Sequence, residues 1–251
     1  MAKKKSKPTG IILLYIIFMM AITAAIFYYS NKAAFVRYPE FGIYLPANYT
    51  VHGIDVSHHQ QTINWGEVKA MQIKNIHIGF SFIKATEGIN DCDAKFSSNW
   101  QQAKEIGLTR GAYHFFNPSK SGLLQAKNFI KNVQLNPGDL PPVLDIEQIN
   151  LVSKQDLQLR VAEWLTIIEK QYQTKPIIYT SAVFYSTYLA DKFDDYPLWV
   201  AHYLVKNKPR INRSWTFWQH NEMGHVNGIQ RFVDFNVFNG DSTAFSNLLL
   251  K

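Results

Sequence analysis

The stretch LPPVLDIE, residues 140–147, has the pattern of a strand that leaves an apolar core and ends in acidic residues. Asp145 and Glu147 are i and i+2 on this predicted strand, so their side chains point to the same face. Mutual repulsion and burial both raise the pKa of such carboxyls. A carboxyl that stays protonated near neutral pH can act as a general acid, although Asp-x-Glu pairs are also common at strand ends on protein surfaces.

Short strands of similar character recur on both sides of this stretch, separated by helical stretches. That alternation predicts parallel strands with helical crossovers. About 200 residues is short for an eight-stranded barrel, so some crossovers must be short or missing. The sequence therefore predicts an α/β fold, a TIM-barrel-like (β/α) barrel with eight strands and fewer helices. The predicted strands are Gly53–Val56, Phe80–Lys84, Arg110–Phe115, Pro142–Glu147, Pro176–Thr180, Leu198–His202, Thr216–Gln219 and Arg231–Val237.

Three helices are predicted between these strands. The clearest covers about 154–173, where Ser153 and Asp156 form a variant of the capping box and apolar residues recur along one face. The others cover about 97–105, which stops at Gly107, and 122–133. The gap between the sixth and seventh strands is too short for a helix.

Acidic residues also fall at other predicted strand ends. Parallel α/β folds bind ligands at the carboxyl ends of their strands. Asp55 ends the first strand, and Asp234 lies on the eighth. If the barrel closes, both meet Asp145 and Glu147 at one mouth. Four acids at one mouth destabilise a fold by repulsion, and such a cost is typical of functional sites.

Aromatic residues at the same strand ends suggest a carbohydrate groove. Sugar rings pack their CH faces on aromatic rings and need polar partners for their hydroxyls. For each of these aromatics taken alone, the barrel core is the more common place. The predicted substrate-binding residues are Tyr113, Tyr179, Trp199 and Trp218, with Tyr203 beside them, and the polar residues Gln219 and Lys84.

Metal and cofactor sites are not predicted. Histidines follow several strand ends, but no His-Glu-x-x-His or similar ligand spacing is present. A metal-dependent deacetylase is the alternative that these histidines leave open. Phosphate loops and the Gly-x-Ser-x-Gly elbow are also absent. Cys92 is the only cysteine, so no intramolecular disulfide can form, and it has no predicted role.

The N-terminal segment predicts a membrane anchor. Residues 10–29 carry no charge and as a helix would span roughly 30 Å, the thickness of a bilayer core. Lysines precede them, which predicts a cytoplasmic tail over residues 1–9 and export of the chain beyond residue 29. A cleaved signal peptide is the alternative, although its apolar region is usually shorter. Residues 30–50 are predicted to form a stalk, and residues 51–251 the catalytic domain.

The net charge of +7 does not indicate nucleic-acid binding. From Val51 onward the chain has 20 basic and 18 acidic residues, so the excess belongs mainly to the N-terminal tail. A basic tail beside an apolar run is a topology signal and not a phosphate-binding face.

Seven segments in sequence resemble the lysozymes of glycoside hydrolase family 25, the N-acetylmuramidases of the Chalaropsis type. They run in order over about 185 residues. Each is weak alone, but the ordered set is specific. The segments are Gly53–Ser57, Phe82–Gly88, Gly111–Phe115, Pro142–Glu147, Pro197–Ala201, Phe217–Gln219 and Val233–Val237.

The resemblance implies an irregular barrel that cleaves the β-1,4 bond from N-acetylmuramic acid to N-acetylglucosamine in peptidoglycan. It implies that Glu147 is the general acid and that Asp145 orients the acetamido group, with Asp55 and Asp234 as further acids of the site. Attack by the acetamido oxygen and inversion by water both stay open. We expect a monomer at the cell membrane, with its catalytic domain exported. The alternatives are a non-catalytic peptidoglycan-binding module and an amidase or deacetylase.

Overall fold

Eight β-strands close into a barrel, as the sequence predicts. The computed structural model describes residues 9–30 and 34–251. Strands β3, β5 and β7 to β12 form the barrel, and β4 and β6 add to β5. The strands are β1 (Phe35–Tyr38), β2 (Ile43–Pro46), β3 (His52–Val56), β4 (Gln72–Ile73), β5 (Ile76–Glu87), β6 (Asp91–Cys92), β7 (Thr109–Phe115), β8 (Val143–Asp145), β9 (Ile177–Ser181), β10 (Leu198–Ala201), β11 (Phe217–Gly224) and β12 (Val233–Phe238).

The last barrel strand runs opposite to the other seven. Strands β3, β5 and β7 to β11 pair in parallel, but β12 is antiparallel to both β11 and β3. The expectation of parallel strands throughout is therefore wrong for β12. The connection over residues 225–232 explains why. A parallel crossover needs a dozen or more residues, whereas a short loop joins antiparallel neighbours.

The helices are fewer and mostly shorter than in a regular (β/α) barrel, as predicted. The three predicted helices are present as α3, α4 and α5, and residues 202–216, all of which the structure describes, form no helix. The helices are α1 (Thr9–Ser30), α2 (Trp65–Ala70), α3 (Phe96–Glu105), α4 (Gly122–Asn132), α5 (Lys154–Tyr172), α6 (Ala182–Phe184) and α7 (Ser242–Leu248).

Helix α5 packs its apolar stripe on the barrel and its flank on α4. The Ser153 hydroxyl caps it by accepting the backbone N–H of Asp156 at 3.0 Å. Trp164 is fully buried between the barrel and α4. The two helices approach closely at Gly122, where a Cβ would lie 2.1 Å from the carbonyl oxygen of Arg160. Only glycine fits this crossing without a shift of the backbone.

Alternate residues of each strand contribute to two separate apolar clusters. One fills the barrel interior and includes Phe82, Trp199 and Phe217. The other lies between the barrel and its surrounding elements and includes Trp218. This alternation follows from the two-residue repeat of a strand. Trp218 therefore faces away from the barrel interior, and its indole N–H donates to the carbonyl of His202 at 2.9 Å.

Residues 34–50, part of the predicted stalk, form a hairpin that packs on the barrel. Strands β1 and β2 pair antiparallel, and Phe41 between them is buried against Phe235 of β12, with ring centroids 5.3 Å apart. The carbonyl of Phe41 also accepts the backbone N–H of His225 at 2.9 Å. The hairpin is thus joined to the edge of the domain near β11 and β12. Residues 31–33 of the predicted stalk lie outside the described residues.

Helix α1 covers the segment predicted to cross a membrane. Its side chains from Ile12 to Met20 are largely exposed. Over residues 9–30 and 34–251, however, no helix combines the length and apolar character that a membrane span requires. The predicted transmembrane helix is therefore not supported. Residues 1–8 of the predicted cytoplasmic tail lie outside the described residues.

Candidate active site

Four acidic residues from three parts of the barrel line one cleft of about 270 Å³. Asp55 lies near the end of β3, Asp145 is the last residue of β8, and Glu147 follows it in the loop. Asp234 lies near the start of β12 and pairs in register with Asp55. Because β12 is antiparallel, its beginning and not its end reaches the mouth of the barrel, where the parallel strands end.

The carboxylate of Asp55 is held by two side-chain amides. Gln219 donates its Nε2–H to Oδ2 of Asp55 at 2.9 Å, and Asn236 donates its Nδ2–H to the same oxygen at 2.7 Å. The amide oxygens are engaged in turn: Asn236 accepts the indole N–H of Trp199 at 2.8 Å, and Gln219 accepts the hydroxyl of Tyr179 at 2.7 Å. These contacts fix both amides with their N–H groups toward Asp55.

Asp55 and Asp234 influence each other's protonation. Burial raises the pKa of Asp55 to about 6, against the opposing effect of its amide hydrogen bonds from Asn236 and Gln219. Burial, followed by the charge of Asp55, raises the pKa of Asp234 to about 9. Since the amides favour the carboxylate form of Asp55, the proton of the pair resides on Asp234.

Asp145 and Glu147 have different surroundings within the cleft. Asp145 is buried, and its Oδ1 has no hydrogen-bond partner among the described residues. Burial, and then the charges of Glu147 and Asp55, raise its pKa. Glu147 is more open to solvent. Burial of its carboxyl within the cleft still raises its pKa, against the opposing effects of Tyr179 and Lys84.

The geometry of this acid pair differs from the prediction in one respect. The sequence predicts that the strand extends to Glu147, but β8 ends at Asp145. The backbone N–H of Ile146 bonds to the carbonyl of Tyr179 at 3.0 Å, so the chain stays beside β9 for one more residue. Glu147 reaches the cleft from the loop and not from a shared strand face.

Five of the six predicted substrate-binding residues line the same cleft. Tyr113, Tyr179 and Trp199 lie there with the polar residues Gln219 and Lys84. The Lys84 ammonium pairs with Glu87 at 2.7 Å and lies 4.8 Å from the ring centroid of Phe115.

Trp218 does not line the cleft, so its predicted place there is wrong. The strand alternation that directs Gln219 to the mouth turns Trp218 outward, where its ring packs on Phe35 of the hairpin at 5.9 Å between centroids. The same alternation could have been read from the sequence.

Sequence reasoning missed Glu222 and the structural role of Asn236. Glu222 lines the cleft as a fifth acid, on a part of β11 beyond the predicted end at Gln219. Register shifts on both sides of Asn221 interrupt the regular alternation of side chains there. Counting alternate residues along the strand would therefore not have predicted that Glu222 lines the cleft. Asn236 is a polar residue on a predicted strand, but nothing in the sequence indicates that its amide holds Asp55.

The histidines do not gather into a metal site within the described part of the chain. There, no group of three His, Cys, Asp or Glu side chains has the arrangement to hold a metal ion. His58 pairs with Asp93 at 2.7 Å, and buried His114 contacts the hydroxyl of Thr86 at 2.7 Å. His58 thus connects the turn after β3 to the loop after β6, and His114 connects β7 to β5.

Comparison with known proteins identifies the same region. The profile named Glycosyl hydrolases family 25 matches residues 54–229, which include Asp55, Asp145 and Glu147. "Uncharacterized protein YegX" of Escherichia coli K12 is 50% identical over 200 residues, covering 80% of this chain and 74% of its own length. "Lysozyme M1" of Streptomyces globisporus is 37% identical over 212 residues, covering 76% of this chain and 69% of its own length.

A solved structure agrees with these relatives. A family 25 glycosyl hydrolase from Bacillus anthracis has a TM-score of 0.75 and 33% identity, covering 84% of this chain and 99% of that chain. The family profile spans more than half of the chain, and its match contains three of the four acids of the cleft. This protein therefore belongs to glycosyl hydrolase family 25 and is a glycoside hydrolase of the lysozyme type.

Proposed function

We propose that the enzyme hydrolyses the β-1,4 bonds between N-acetylmuramic acid and N-acetylglucosamine in bacterial peptidoglycan. The observation that carries this proposal is the convergence of Asp55, Asp145, Glu147 and Asp234 on one cleft with aromatic walls. The lysozyme name of the Streptomyces relative supports peptidoglycan as the polymer. Carboxyl groups in such a cleft suit glycosidic cleavage, which needs an acid at the leaving oxygen and negative charge near the anomeric centre.

Glu147 is the proposed general acid. Its raised pKa keeps a larger fraction of the carboxyl protonated near neutral pH. It is also the most solvent-open of the four acids, so a glycosidic oxygen can reach it. Asp145 is less suited to this step because it is buried beneath the cleft surface.

Asp145 is the proposed partner of the substrate's acetamido group. Its carboxyl group lines the wall of the cleft and can accept the acetamido N–H once it is ionised. Positive charge develops on that nitrogen when the acetamido oxygen attacks the anomeric carbon. The charge lowers the pKa of Asp145 at that moment, so the carboxylate stabilises the transition state more than the bound substrate.

The substrate-assisted reaction then proceeds in two steps. The acetamido oxygen bonds to the anomeric carbon, the glycosidic C–O bond breaks, and the Glu147 proton moves to the leaving oxygen. A water molecule next attacks the anomeric carbon, and the Glu147 carboxylate takes its proton while the acetamido group re-forms. Asp55 and Asp234, held as one negative charge, lie near the positive charge that develops on the sugar ring.

Glu147→Gln provides the direct test of the acid role. Glutamine has nearly the same shape but no proton to donate, so we expect release of new reducing ends from purified sacculi to fall about a hundredfold or more. Glu105→Gln, at the exposed end of α3, is the matched control and should retain full activity. Equal release by wild type and Glu147→Gln would remove Glu147 from the acid role.

The stereochemistry of the first product tests the nucleophile. Attack by the acetamido group gives net retention, whereas direct attack by water gives inversion. NMR of the fresh reducing end, recorded before mutarotation, distinguishes the two. An inverted product would exclude the acetamido route while leaving Glu147 as the acid.

We further propose that the catalytic domain acts on the outer side of the cytoplasmic membrane, where peptidoglycan lies. The lysozyme name of the Streptomyces relative supports this location, because a lysozyme needs access to peptidoglycan. Protease treatment of spheroplasts tests it: the domain should be digested from outside without lysis. Full protection of the domain in intact spheroplasts would contradict export.

A further inference from the structure

A second groove of about 520 Å³ adjoins the catalytic cleft. One wall is the hairpin, with Phe35, Ile43 and Tyr44, and the other is formed by residues 203–205 and 220–223. Tyr203 and Glu222 line both the cleft and the groove. The two depressions therefore adjoin each other at these two side chains.

The groove surface is apolar and open to solvent. Tyr44 is 56% exposed and Met223 is 51% exposed, and Leu204 is fully exposed. Large apolar side chains grouped in this way commonly mark a binding surface. Leu204 also adopts a left-handed φ of 56°, which is unfavourable for a residue with a Cβ. The chain therefore presents an apolar side chain to water from a strained backbone, which is typical of functional positions.

The cleft alone is small for a polymer. Its volume of about 270 Å³ lies just below the usual range of small-ligand sites. A glycan strand has to leave the cleft over its rim, and the groove begins at that rim. Aromatic and apolar side chains suit the CH faces of sugar rings, and Glu222 can accept their hydroxyls. The hairpin wall precedes the family match, which begins at residue 54.

We propose that this groove binds a further sugar of the same glycan strand, outside the two sugars that flank the cleaved bond. The proposal rests on the proposed function, because it assumes that a glycan strand occupies the cleft. The hairpin then makes the enzyme prefer long strands, with Tyr44 and Leu204 as residues that set this preference.

The test compares kcat/KM of the full chain on the peptide-free disaccharide of N-acetylmuramic acid and N-acetylglucosamine and on peptide-free octasaccharides. Tyr44→Ala and Leu204→Ala should each lower kcat/KM on the octasaccharide about fivefold to tenfold, mainly through KM, because each loses part of an apolar contact. On the disaccharide, which has no sugar beyond the two that flank the cleaved bond, they should match wild type. Leu159→Ala, an exposed leucine on α5, is the control and should match wild type on both.

Three results would overturn the proposal. The first is an equal loss on both lengths, which would indicate a general effect on the cleft. The second is a loss on peptide-bearing sacculi without any loss on the octasaccharide, which would assign the groove to the stem peptide. The third is no loss on any substrate. Failure of wild type to cut either oligosaccharide would instead refute the proposed function itself.

Discussion

Replacing Asp234 with asparagine should stabilise the protein at alkaline pH. Asp234 faces Asp55 across paired strands, and burial raises its pKa to about 9. At pH 8 the folded protein holds this carboxyl protonated, whereas the unfolded chain, with a pKa of roughly 3.9, releases the proton. Folding must then take up a proton. Asparagine needs none, and its N–H can still donate to Asp55.

The size of the effect follows from linkage. Each pKa unit corresponds to about 1.36 kcal/mol, so the full shift would correspond to about 5 kcal/mol at pH 8. Solvent reaches the partly buried carboxyl and screens its charge, so we expect about 2 kcal/mol. At pH 5 the expected gain is below about 1 kcal/mol, since the unfolded chain is then closer to its own pKa.

The stability that the Asp234 carboxyl contributes should fall as pH rises. A carboxyl whose folded pKa is raised gives its full stability below the unfolded pKa, near 4, and loses it as pH rises toward the folded pKa of about 9. Thermal melting at pH 5 and pH 8 is the assay. For a domain of this size, about 2 kcal/mol corresponds to a rise in Tm of about 4–8 °C at pH 8.

Removal of a remote negative charge provides the control. Glu105→Gln removes one charge from the exposed end of α3 and should change Tm equally little at both pH values. Two results would show that Asp55 and Asp234 do not share a proton as described. One is an Asp234→Asn variant that melts at or below the wild-type temperature at pH 8. The other is a rise in Tm at pH 5 as large as the rise at pH 8.

Three further predictions concern catalysis and packing. The kcat of wild type should fall as pH rises through the raised pKa of Glu147, because the protonated form of this carboxyl is lost. If the residual activity of Glu147→Gln falls over the same pH range, another group causes the fall. Incubation with EDTA should leave activity unchanged, and a loss that added metal restores would contradict this. Gly122→Ala should lower the free energy of unfolding, measured in urea, by about 2 kcal/mol or more, because its Cβ would meet the carbonyl of Arg160 at 2.1 Å; an unchanged urea midpoint would show that α4 can shift freely.

Local patterns in the sequence determine much of this fold. Helix α5 could be predicted because its cap and apolar stripe are encoded within one segment, and the barrel strands because each is a short apolar run between polar turns. The position of Glu147 beyond the end of β8 could not, because tertiary contacts with β9 decide where pairing stops. Glu222 was missed for a similar reason, since the irregular register of β11 is not visible in a single segment.

The reversed strand β12 explains how the second acid pair reaches the mouth of the barrel. On the parallel strand β8, the inward residues change from apolar Val143 at the start to acidic Asp145 at the end. On β12 the order is inverted: Asp234 comes first, Asn236 second and apolar Phe238 last. A parallel strand with this sequence would carry its acid to the closed end of the barrel and its phenyl ring to the mouth. The order of polarity along β12 therefore matches its direction, and this direction gives Asp55 one of its two amide donors, Asn236, and its proton-sharing partner, Asp234.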